Sequence, residues 1–245
     1  MDLTFLPDVE RAARTAREFS ESRLLAAVGP GRVGTERPGV LSHLASLVAA
    51  SAVAHFAVFR ELGRVPAPWA ETFRAARLQF HALPGAGVSL EEAGLVGLAV
   101  GDPRRQPDPE ALGVRAGERG GTWELDGMAL APGYLAPADS LLIAAAISGD
   151  GQDVGLFLVK ASPDLLRVAL DRIPAHLLER GEAAWHLLLA LRRRERLSQI
   201  ALAVGAAGRA HELSLAAARE ATAAKDALAL GQGIQFQVAD NAIDL

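Results

Sequence analysis

The stretch GTWELDGMALAPGYLAPADSLLIAA, Gly121–Ala145, decides how the chain is read. Its start reads like two short strands, with turn residues around them. A connector rich in Ala, Pro and Gly follows, and then an apolar run with the length of a buried strand. Such a piece belongs to a domain that holds a ligand against a sheet. The connector offers little to hold one with: Ala131, Pro132 and Gly133 have no side-chain donor, and Tyr134 is beside them.

Reading outward, LVGLAV (Leu95–Val100) is a short strand, and Gly101–Glu110 is a loop punctuated by Pro103, Pro107 and Pro109. LGVRAGERGGTWELDG (Leu112–Gly127) reads as a hairpin turning at Gly120 and Gly121. Leu141–Ile147 and Val154–Lys160 bracket a turn at Gly149, Asp150 and Gly151. Residues 94–170 therefore form a small antiparallel domain of about five strands.

Helices flank it. Val9–Ala27, Val40–Leu62 and Trp69–His81 have helical spacing and are closed by glycine or proline, which makes residues 1–93 an amino-terminal helical domain. Ile173–Trp185 leads into a run, Ala183–Ala224, that has no proline and is dense in helix formers. A helix of that length forms one wall of a bundle or an oligomer interface rather than an isolated rod. It breaks near Gly231, and Gln232–Leu245 begins another helix, so residues 171–245 are a carboxy-terminal helical domain.

Composition excludes several classes. The chain has 245 residues, half of them apolar, a net charge of -4 and no cysteine. Disulfides, thiolate nucleophiles and cysteine-ligated metals are ruled out. The acidic balance and the lack of a basic, aromatic-laced stripe argue against nucleic acid. Ser42–Phe59 is short for a membrane span and carries His43 and His55. The first residues do not have the pattern of a secretory signal, and a cytoplasmic location is expected.

Isolated motifs have plain explanations. Gly29, Gly31 and Gly34 have dinucleotide-motif spacing but follow a helix, so they read as a linker. Gly205 and Gly208 lie inside the long helix, where glycine costs stability and signals close packing. The histidines at 43, 55, 81, 176, 186 and 211 stand in no metal-ligand pattern and read as packing or surface residues. Arg192, Arg193, Arg194, Glu195 and Arg196 crowd one to two helical turns. They are a solvated, mutually paired face, or they hold a carboxylate base; guanidiniums nearby favour the charged carboxylate and so weaken a base.

Taken in order, these pieces resemble the acyl-CoA dehydrogenase superfamily. GTWELDG resembles the family's hairpin, IPAHLLERGEAAW its connector into the final bundle, and the run from Glu195 through AVGAAGRAHELSLAAA to QGIQFQVAD lies on the family without a gap. The resemblance implies an α+β fold: an amino-terminal helical domain, a small middle antiparallel β-domain and a truncated carboxy-terminal helical bundle. It implies FAD, an acyl-CoA ligand oxidised across its alpha and beta carbons, and assembly as a homo-oligomer or with a related full-length chain. Glu195 falls on the base position of the branch typified by isovaleryl-CoA dehydrogenase. Asp102 takes the place of a glutamate in the first flavin loop, where Gly101 and Pro107 replace hydroxyl residues. Ala131–Gly133 stand where an aromatic and a hydroxyl residue touch the flavin. The family's interface Arg-x-x-Phe-Gly aligns with ATAAK, with Arg219 two residues earlier, and Gln232 and Gln235 fall on the helix start beyond the interface loop. Two readings follow: an FAD-dependent dehydrogenase subunit, or a cofactor-free binding or scaffold protein with a degenerate site.

Overall fold

The computed structural model describes residues 7–24, 52–65, 94, 96–99, 112–129, 138–147, 153–161, 169–223 and 232–244. The helix expected at Trp69–His81, the glycine linker, the flavin loop with Asp102 and the connector with Tyr134 lie outside them. Two compact units make up the chain, one of Met1–Val33, Ala49–Ala70 and Leu197–Leu245, the other of Gly34–Val48 and Glu71–Arg196.

The second unit is built on a sheet that closes on itself. Its strands are β1 (Val96–Ala99), β2 (Val114–Arg119), β3 (Thr122–Met128), β4 (Ser140–Ala146), β5 (Val154–Lys160) and β6 (Ala169–Arg180). They run in the order β1-β4-β2-β3-β6-β5, and β5 pairs back onto β4. Among the described residues the sheet has six strands rather than about five, and it is mixed, because β1 and β2 both meet β4 in parallel. The extra strand is β6, whose first half is paired to β3 through Ala175 and whose second half is paired to β5 from His176 onward. Pro174 has no N–H to donate, and it sits where β6 is paired on the β3 side alone. That is why a stretch with proline in it can still be a strand.

β4 and β5 are buried on both faces, which explains their continuous apolar runs. Leu141, Ile143, Phe157 and Val159 pack with Leu125 and Trp123 on one side of the sheet. Leu142, Leu156 and Leu158 pack on the other, with Ala184, Leu188 and Leu191 of α3 (Gly181–Ala223). The expected hairpin is present: Gly120 and Gly121 have φ of 57° and 81°, the left-handed pair that a two-residue turn demands. LDG is a bulge. The register shifts between Leu125 and Gly127, Gly127 has φ of 123°, and the Asp126 carboxylate accepts from the Arg172 N–H at 2.8 Å.

The first unit contains α1 (Pro7–Phe19) with a π-helical turn at Ser20–Leu24, α2 (Ala52–Leu62), the later part of α3, and α4 (Gln232–Asp244). Ser20 Oγ donates to the Ala16 carbonyl at 2.8 Å, and this local bond accompanies the widened turn. Where α2 ends, the backbones of α2 and α3 touch. A Cβ on Gly205 would lie 1.9 Å from the Arg60 carbonyl oxygen, and one on Gly63 would lie 2.3 Å from that of Leu202. Gly205 is thus a packing residue, as its place in a helix predicts. Gly208 differs, since a Cβ there meets nothing within 4 Å among the described residues.

Beside this crossing, the Glu61 side chain is only 3% exposed. Arg17 Nε donates to it at 2.8 Å, Arg60 Nη2 at 3.0 Å, and Arg64 Nε stands 3.7 Å away. Burial pushes the Glu61 carboxyl up, but the hydrogen bonds and charges of Arg17 and Arg60 outweigh it and hold the group below its ordinary range. Arg64 also reaches Glu212 at 2.6 Å, so α2 is pinned to α3 by charge as well as by glycine.

Two measurements test this packing. Gly205→Ala should lower stability in denaturant melts by about 1–3 kcal/mol, because the obstacle is backbone, whereas Gly208→Ala should raise it by up to about 1 kcal/mol through helix propensity. The Glu61 ion pairs should contribute fully above the unfolded carboxylate range and fade as pH falls through the depressed folded value. Melts of Glu61→Gln should therefore show a flatter loss of stability between about pH 5 and pH 3 than the parent; an unchanged acid limb would contradict the network.

Candidate functional site

α3 carries its inward residues on one repeating stripe. Ala184, Leu188, Leu191, Glu195, Ser198, Leu202 and Gly205 are spaced alternately by four and three residues, which keeps them on one side of a helix. All are buried except Glu195, which is half-buried. A carboxylate thus occupies a position whose neighbours along the stripe are apolar or small. This is a different setting from a solvated charged face. Arg193, Arg194 and Arg196 are exposed, while Arg192, next to Leu191 on the inward side, is 7% exposed. The charge run that looks uniform in sequence is split by the helix into outward arginines and an inward Arg192 and Glu195.

One turn beyond Glu195, Ser198 is fully buried, and its hydroxyl lies 2.7 Å from His55 Nε2 on α2. His55 is 4% exposed and stacks on Phe59, with ring centroids 4.5 Å apart. The pair has the spacing of a serine–histidine dyad, yet both groups are shut from solvent, so it acts as a packing hydrogen bond.

The remaining site residues are scattered. Arg219 is exposed on α3, and Gln232 and Gln235 are exposed on α4. They belong to the first unit, and Glu195 to the second. Asp102 lies outside the described residues. Arg219 and the two glutamines present N–H donors suited to phosphate or to a ring carbonyl, and all three are exposed. Of the described histidines, His55 is buried and His176 and His186 are exposed, with His186 3.8 Å from Glu182. No group of three potential metal ligands occurs among the described residues. No helix among them is long and apolar enough to cross a membrane.

Sequence reading missed Glu61. Its signal was spacing: Ala54, Ala57 and Glu61 fall at i, i+3 and i+7, which puts a carboxylate on the buried face of α2, with an arginine on either side of it in FRELGR.

No protein-family model and no curated protein matches the sequence. Solved structures do match. Glutaryl-CoA dehydrogenase from Mycobacterium smegmatis is 17% identical, with a TM-score of 0.69 over 99% of this chain and 73% of its own. Acyl-CoA dehydrogenase from Geobacillus kaustophilus is 14% identical, with a TM-score of 0.68 over 99% and 77%. Butyryl-CoA dehydrogenase from Megasphaera elsdenii is 14% identical, with a TM-score of 0.69 over 99% and 77%. Helices, a middle mixed sheet and further helices, matched over nearly the whole chain, are the architecture of these enzymes, and the chain has the acyl-CoA dehydrogenase fold.

Proposed function

We propose that the chain is an acyl-CoA dehydrogenase-like subunit that acts with FAD on an acyl thioester, with Glu195 as the base. The observation that carries this reading is the place of Glu195 on α3: a half-buried carboxylate in a stripe that is otherwise apolar or small. Partial burial between protein groups excludes water from a base and fixes its direction. The Glu195 carboxylate would take the proton from the carbon next to the thioester carbonyl. FAD, when bound, supplies the hydride acceptor. Asp102, Arg219, Gln232 and Gln235 are the residues of this chain offered to hold it.

Assembly is part of the proposal. α4 buries no side chain among the described residues, and Phe236 and Ile243 on it are 59% and 81% exposed. Apolar side chains left open on a helix favour a second chain covering them, either another copy or a related full-length chain. Such a chain would also bring groups toward Arg219 and the glutamines, which are exposed.

A cofactor-free binding or scaffold role is the second reading. It is favoured by Gly101, Pro107 and Ala131–Gly133, which lack the hydroxyl and aromatic groups expected at flavin contacts.

Native mass and visible absorbance of the gently purified protein separate the two. An oligomer with a flavin band, alone or with its partner chain, supports the dehydrogenase. A colourless protein that takes up neither added FAD nor an acyl thioester leaves the scaffold role. In the flavin-bound protein, Glu195→Gln should cut turnover by at least about 10²-fold while the flavin band and melting temperature persist. Turnover that survives the substitution removes Glu195 from the chemistry.

A further inference from the structure

A hollow of about 370 Å³ opens in the first unit, between α1 and α2, away from Glu195 and Arg219 in sequence and assigned to nothing above. Glu10, Ala13, Arg14 and Arg17 line it from α1 at i, i+3, i+4 and i+7, one face of that helix. Ala57, Arg60 and Glu61 line it from α2 in the same way. Two alanines thus keep the space open, and three guanidiniums stand around it.

The charges in the hollow are unequal. Glu61 accepts from Arg17 Nε and from Nε and Nη2 of Arg60, which leaves the Arg17 Nη groups and Arg60 Nη1 unspent on it. Arg14 makes no ion pair among the described residues and is exposed. Glu61 also holds Arg17 and Arg60 in place, so a ligand would meet guanidiniums whose ordering cost the fold has already met. A monocarboxylate has two oxygens with which to answer three guanidiniums. A phosphate has three or more, carries a double charge, and fits this donor geometry better. Glu10 opposes an anion and so provides an internal control.

We propose that this hollow binds a small phosphate-bearing anion, through the free N–H groups of Arg14, Arg17 and Arg60.

Calorimetric titration of the full chain at constant ionic strength, with inorganic phosphate in one arm and ADP in the other, tests this. Saturable binding of either is expected, phosphate indicating the free ion and ADP alone indicating a nucleotide. Arg14→Ala should weaken it about tenfold, as expected for loss of a charged hydrogen bond, without lowering the melting temperature, because Arg14 lies outside the Glu61 pairs. Glu10→Gln should tighten it. No saturable binding at millimolar ligand overturns the proposal. So does binding that ignores Arg14→Ala and Glu10→Gln, or that is lost with Arg219→Ala instead; that last outcome would place the anion at the residue offered to FAD. The flavin reading survives any of these results, because none of the hollow's residues belongs to it.

Discussion

One line of side chains on α3 has to be buried along most of its length, and much else in the chain answers to that requirement. In one unit Ala184, Leu188 and Leu191 lie against the outer face of the closed sheet. In the other, the same spacing continues as Ser198, Leu202 and Gly205 against α2. The residue types follow from what each position meets. Against a sheet, leucine fills the space between strands. Against the end of a helix there is no space to fill, and only glycine lets the Arg60 carbonyl come so near. Helix propensity argues against glycine at 205 by about 1 kcal/mol, and the close crossing overrides it.

That crossing brings polar groups into a buried place, and each needs an answer. The last carbonyls of α2 have no partner within their own helix. Gly63 N–H returns to Phe59 O at 2.9 Å, and Ser20 Oγ leans toward Glu61 O at 3.5 Å. The Glu61 side chain takes a more costly route. A negative charge near a helix carboxy terminus is unfavourable, and burial adds to the cost. Three arginines, on α1, on α2 and on the turn after α2, offset both. Arg17 and Arg60 remain partly in water, so the network buries one carboxylate without burying as many cations. This asymmetry leaves guanidinium N–H groups at the surface.

Much of the fold was legible because the signals were local. The Gly120–Gly121 turn, the apolar runs of β4 and β5, and the proline-free length of α3 each follow from short-range chemistry, and the structure has them. Closure of the sheet was not legible, because it depends on β6 being paired first on one side and then on the other. In sequence Pro174 marks β6 as non-strand; the pairing that tolerates it lies 50 residues away on β3. Parallel pairing of β1 with β4 was hidden for the same reason. Arg172 is a smaller case: a non-glycine residue with φ of 49°, held by a carboxylate from another strand, has no signature of its own.

The candidate site was legible in its residues but not in their setting. RRRER looks the same whichever residue faces inward, and only the phase of the stripe, fixed by Leu188 and Leu191 upstream and Ser198 downstream, turns Glu195 in. The phase was available in the sequence, yet a serine and a glycine do not announce a buried stripe as leucines do. Ser198 counts as inward because His55 answers its hydroxyl, and Gly205 because a carbonyl sits where its side chain would be. Once both are counted, a charged residue between Leu191 and Ser198 becomes the exception on its stripe. A half-buried carboxylate among apolar and small neighbours has its direction fixed by the groups packed around it. That setting is the physical argument for asking first of Glu195, and only then of the exposed Arg219, Gln232 and Gln235, what this chain does.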